Sequence, residues 1–338
     1  MLFATNRVFN EGPTPVLPND SASRFPRSVS FNLNNNQAEQ SIYFCRRNGE
    51  DDYSEIGHTA FFDAINADES VKEILFYIHG FSNLPEATIF KRTEELQNHL
   101  NTLQPQEIKV IPLIWPCDND FGILRDYFDD QIAADASDLA FMRFFEWYFD
   151  WLSSRIASPV TEAPFSKKLS ILAHSMGARV LRGALNRSVQ YFQQAGFPLI
   201  FRNIFLSAAD LVNEALEANK EGMWIPLVAR NVVIYYASDD WALRSSIVAN
   251  LVNLAASRRL VQSGPEDFSK IPSNVFALDC GNFNNFYDPI IGHGYFASDP
   301  SGNPGLVLRH MQSTIQKGRV VIPTSKRSSI LEDASFLS

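Results

Sequence analysis

The sequence predicts an α/β architecture: a mostly parallel central sheet flanked by helices. Three observations carry that prediction. Short apolar runs recur along the chain, uniform rather than alternating, as strands covered on both faces are. Stretches with helical spacing separate them. Each run ends in small or polar residues, and the carboxyl ends of the strands are where open α/β sheets bind ligands.

The elements follow in order. The opening MLFATNRVFNEGPTP has no charged segment followed by an apolar run, so no secretory leader is expected. Residues 10–40 are rich in Pro, Asn and Ser, with NLNNNQ at 32–37, and read as a loose surface segment. SIYFCRR (41–47) alternates as a strand, and RNGEDD supplies turn chemistry after it. EILFYIH (73–79) is an apolar strand, EATIFKRTEELQNHL (86–100) has helical spacing, and IKVIPLIW (108–115) is a further strand. KLSILAH (168–174) leads into a helix from Gly177 to about Phe192. FRNIFLSAAD (201–210), NVVIYYASDD (231–240) and NVFALDC (274–280) complete the series, with no internal repeat. This divides the chain into an N-terminal strand and loose polar segment (1–40), one α/β domain (41–318) and a C-terminal tail (319–338).

One segment interrupts the alternation. Residues 126–155 are long and aromatic, with Arg143, Glu146, Asp150 and Ser153 as a polar stripe at helical spacing. Phe141, Phe144, Phe145, Tyr148, Trp151 and Leu152 fill much of the remaining surface. Packing helices or a cap over an apolar pocket both fit that composition.

Composition narrows the function. With 338 residues, 45% hydrophobic and 20% charged, a sizeable core is expected. A net charge of −9, with Arg46, Arg47, Arg258 and Arg259 only as isolated pairs, argues against a nucleic-acid partner. Cys45, Cys117 and Cys280 have no paired or metal-ligand spacing, so three buried, reduced thiols are expected. No stretch reaches the roughly 18 apolar residues a membrane span needs, and a cytoplasmic protein is the expectation.

The candidate chemistry starts at AHSMG, 173–177. A serine on a tight strand-to-helix turn is the arrangement of a hydrolase nucleophile, although Ser175 could equally cap the helix. Ala173 replaces the first glycine of G-x-S-x-G, and it keeps most of the room that the close strand–helix approach requires. A serine needs a base to take its proton, and the base needs a carboxylate. In α/β sheet hydrolases these follow in the chain order Ser, acid, His. That order excludes His58, His79, His99 and His174; His99 reads as a solvated residue in a last helical turn. His310 lies in a helical context and reads as packed. His293, between two glycines in PIIGHGYF, is the candidate base. Asp240 is favoured as the acid, with Asp239 and Asp210 as alternatives. Asp279 shares a strand face with Val275 and Ala277 and reads as structural. The backbone amides of Met176 and of Phe81, in FYIHGFSN, are the candidate oxyanion hole.

FYIHGFSN, ILAHSMGARVL, YYASDDWAL and GHGYF, with LFATNR before them, resemble in the same order the motifs of a group of bacterial α/β-hydrolases of undefined function. The resemblance spans Leu2 to about Phe296. It implies an α/β-hydrolase fold, in which the aromatic-rich segment 126–155 reads as a helical insertion, with Ser175 as nucleophile, Asp240 as acid and His293 as base. It implies no substrate. The expectation is an esterase- or lipase-like serine hydrolase of a small-molecule carboxylic ester, with thioester and amide open, needing no metal or organic cofactor. The alternatives are an idle binding module on the same fold and an acyltransferase using the same triad.

Overall fold

The computed structural model describes residues 1–13, 25–117, 123–157, 167–191, 198–238, 259–289, 292–322 and 326–332. Its strands are β1 (Leu2–Arg7), β2 (Arg27–Val29), β3 (Ala38–Gly49), β4 (Asp52–Glu55), β5 (Glu73–Ile78), β6 (Ile108–Ile114), β7 (Lys168–His174), β8 (Phe201–Ser207), β9 (Ala229–Tyr236), β10 (Val275–Asp279) and β11 (Ser328–Ile330). Among the described residues they form one sheet in the order β11-β10-β9-β8-β7-β5-β6-β1-β3-β4-β2. From β11 through β1 all neighbours are parallel; β3, β4 and β2 extend the edge as antiparallel ribbons.

The parallel strands are apolar throughout because helices cover both faces. Every residue of β5 is buried, and so are six of the seven in β7. The helices used below are α1 (Gly57–Ala67), α2 (Phe90–Leu103), α3 (Ile123–Ala136), α4 (Asp138–Ala157) and α5 (Gly177–Tyr191). On one face α4 packs against α1, β3 and α5. Its Phe141, Phe144, Phe145, Tyr148 and Trp151 are buried there. Phe144 stacks on Phe44 of β3 at 5.7 Å and meets Phe76 of β5 edge-on at 5.2 Å. On the other face, Leu96 and Leu100 of α2 join Leu308 and Met311 of the C-terminal helix Leu306–Lys317 in a second apolar cluster. Each such side chain contributes about 1.5–3 kcal/mol by leaving water.

Three details depart from the sequence reading. The stretch 86–100 is not one uniform helix: a wide turn over Pro85–Ile89 precedes α2, which runs on to Leu103. Arg27–Val29 lies inside the loose N-terminal segment yet pairs with β4. Ser328–Ile330 lies in the C-terminal tail yet adds the outermost parallel strand beside β10.

The topology creates one cleft. From β5 the chain steps outward to β6, then returns to place β7 on the opposite side of β5. The connections therefore diverge above the carboxyl ends of β5 and β7, the crevice in which α/β sheets bind ligands.

Candidate active site

Strand β7 ends at His174 and α5 begins at Gly177, leaving Ser175 and Met176 as the whole turn. Ser175 takes a φ of 52°, a left-handed backbone costing on the order of 1–3 kcal/mol for a residue with a Cβ. Its backbone is held in place by three hydrogen bonds. Its amide donates to the Ser207 carbonyl at 2.9 Å, and its carbonyl accepts from the Ala178 and Asp210 amides at 3.1 Å each. Gly177 is required by contact: a Cβ there would lie 2.5 Å from the Ile78 carbonyl oxygen and 2.6 Å from that of His79. Ala173, at the other small position, is fully buried and fits.

The turn after β5 meets this corner. A Cβ on Gly80 would lie 3.1 Å from the Ser175 Cβ and 3.0 Å from the His174 Nδ1, so a larger residue there would press on the side chains of both. His79 anchors the turn. Its Nδ1 donates to the Gly80 carbonyl at 2.8 Å, its Nε2 accepts from the Trp115 amide at 3.2 Å, and its ring stacks on Trp115 at 5.1 Å. Burial pulls its pKa down to about 3, so the ring is neutral and structural. Among the described residues, neither the Phe81 nor the Met176 amide donates to a protein acceptor.

His293 is half-buried in the loop after β10. That loop is clamped from three sides. Asp288 Oδ2 accepts from the amides of His293 at 3.0 Å and Gly294 at 2.8 Å, and Asn284 Nδ2 donates to the Gly292 carbonyl at 3.1 Å. The third clamp is His174, whose Nε2 donates to the His293 carbonyl at 3.2 Å, with the two rings 5.0 Å apart. Burial, and then the nearby His293, hold the His174 pKa well below the usual imidazole range, which keeps Nδ1 without a proton.

Ser175, His293 and Phe81 line one small cavity of about 10 Å³ with Tyr127, Asp210 and Val261. Tyr127 comes from α3, so the aromatic insertion reaches the site. Its hydroxyl donates to Asp210 Oδ2 at 3.1 Å; burial, then the adjacent carboxylate, raise the phenol's pKa and keep it protonated. Asp210 also faces Arg259 at 3.1 Å and Arg179 at 3.9 Å. It is a buried carboxylate already committed to two guanidinium groups and a phenol.

The structure thus brings together Ser175, His293, the Phe81 and Met176 segments and, of the three acid candidates, Asp210. Asp240 and its neighbour Asp239 lie outside the described residues. The other sequence candidates sit elsewhere. His310 is buried, accepting from Tyr235 Oη at Nδ1 and donating to the Val321 carbonyl from Nε2, both at 2.7 Å. Burial lowers its pKa to about 4. His99 is not merely solvated: its Nε2 meets Ser298 Oγ at 3.1 Å. Asp279 accepts from the Gly281 amide at 2.9 Å. Cys45, Cys117 and Cys280 are free and buried.

Residues 57–309 match a family described as alpha/beta hydrolases of unknown function (DUF900). The chain belongs to that family. The matched span includes the Gly80 turn, the Ser175 corner and the His293 loop, so the family's fold covers the whole cleft. No curated protein matches the chain. Among the described residues, no helix is long and apolar enough to cross a membrane, and no cluster of His, Cys, Asp or Glu could hold a metal ion.

Proposed function

We propose that this family member is a serine hydrolase that cleaves a carboxylic ester through an acyl-enzyme. The observation supporting it best is the Ser175 corner: a serine held at positive φ, sharing a cavity with His293 and flanked by the undonated amides of Phe81 and Met176. Ser175 Oγ attacks the acyl carbon while His293 takes the hydroxyl proton. The carbonyl oxygen, now negative, receives the two amides. His293 returns the proton to the departing alkoxide, and water repeats the sequence to release the acid. Asp240 is the proposed partner of His293. Thioesters and amides present the same carbon, and an acceptor other than water would turn the same residues to acyl transfer.

Turnover of a panel of p-nitrophenyl esters of increasing acyl length tests the reading. Hydrolysis lost in Ser175→Ala supports it. A folded protein without activity across the panel favours a binding module on the hydrolase fold.

A further inference from the structure

The turn that carries the Phe81 amide is tied down by side chains outside the triad. Asn83 Nδ2 donates to the Gly80 carbonyl at 3.0 Å and to the Phe81 carbonyl at 2.6 Å. Ser82, at a φ of 57°, donates its amide to Asp130 Oδ2 at 2.8 Å. Asp130 projects from α3, is fully buried, and accepts from Asn36 Nδ2 at 3.0 Å through its other oxygen. Asn83 is itself fixed by Cys117, whose Sγ accepts from the Asn83 amide at 3.3 Å and donates to its carbonyl at 2.9 Å.

These bonds consume the carbonyls on both sides of Phe81 and the amide after it. The Phe81 amide donates to no acceptor among the described residues, in a turn pressed against Ser175. A donor is useful to a developing oxyanion only if it is aimed before the charge appears. In a left-handed turn such as Ser82, the backbone would relax and swing that amide away if the clamps were removed. We infer that Asp130 and Asn83 are positioning residues that lock the Phe81 amide as an oxyanion donor, so that the inserted helix α3 serves catalysis by holding the turn. The inference rests on the acyl-enzyme reading above.

The test measures kcat and KM on a p-nitrophenyl ester, with rates divided by the number of sites titrated by a fluorophosphonate. Asp130→Ala and Asn83→Ala are expected to lower kcat per titrated site about 10- to 100-fold, with KM changed less than about 3-fold, as for loss of a transition-state donor. Affinity for a trifluoromethyl ketone that forms the tetrahedral adduct should fall in step with kcat. Asp130→Asn keeps a carbonyl acceptor for the Ser82 amide and should recover most of the rate. Asn83→Asp sets an anion against two carbonyls and should not. A folding defect would lower the titrated fraction and leave kcat per site alone. If the wild type labels and turns over while both alanine variants keep its kcat per site, the positioning role is wrong and the hydrolase reading stands. A wild type that neither labels nor turns over overturns the hydrolase reading, and this role with it.

Discussion

His174 Nε2 donates to the backbone carbonyl of His293 across 3.2 Å, joining the residue before the serine to the loop that carries the proposed base. The bond to a carbonyl puts a proton on Nε2, and burial keeps the ring neutral, so Nδ1 carries none. His174→Phe keeps the ring and its packing on Phe296 at 4.6 Å but deletes the donor. The expected outcome is a kcat lowered about 10- to 100-fold with KM little changed, since a small misplacement of a base is costly. Steady-state kinetics on a p-nitrophenyl ester check it.

Gly177 allows strand β5 and helix α5 to touch. Gly177→Ala would drive a Cβ into two backbone carbonyls that cannot rotate away. Overpacking of that kind is expected to cost about 1–3 kcal/mol. Urea unfolding of the variant, read by circular dichroism, should show the lower midpoint; an unchanged midpoint would mean the corner is looser than described.

At the opposite end of the sheet a polar row crosses four strands. Glu73 accepts from Ser170 Oγ and pairs with Arg202 at 3.1 Å. Asn203 Nδ2 donates to Ser170 Oγ at 3.1 Å, and Asn231 Nδ2 to Asn203 Oδ1 at 3.0 Å. Burial raises the Glu73 pKa despite these partners. A carboxyl whose pKa is raised on folding binds its proton more tightly in the native state. Its contribution to stability is therefore full below the unfolded value, near 4.5, and is lost as pH climbs through the native value. Glu73→Gln removes that titration. Urea unfolding at pH 5 and pH 8 should show the wild type gaining on the variant at the lower pH; a gap of the same size at both would contradict the assignment.

The three aspartates proposed from sequence should separate by phenotype. Asp240→Asn is expected to cut turnover by orders of magnitude at unchanged stability, and Asp239→Asn to do little. Asp210→Asn should instead lower the melting temperature, because Arg259 and Arg179 lose their buried counter-charge. Kinetics with thermal melts of all three variants make the comparison. The opposite ranking of Asp239 and Asp240 would move the acid by one residue.

Much of the site was legible because its signals are local. KLSILAH coincides with β7 residue for residue, the helix begins at Gly177, and the HG turn follows β5 by position alone. The rest depends on contacts that no spacing reveals. Asp130 meets Ser82 across 48 residues and Asp288 grips the His293 loop from a neighbouring turn. Chain order sets His174 aside as a base, and it is silent on the bond His174 makes to His293. The strands Arg27–Val29 and Ser328–Ile330 span three residues each, too few for a periodic pattern to show. The aromatic segment was ambiguous because one sequence serves two purposes. Its α4 rings pack against the sheet, while Tyr127 and Asp130 of α3 face the cleft and its turn.

The most direct measurement is the site of covalent labelling by a fluorophosphonate, mapped by peptide mass spectrometry on the intact chain. One adduct on Ser175, absent from folded Ser175→Ala, is the predicted result. Labelling that persists in Ser175→Ala, or maps to another residue, would contradict the account.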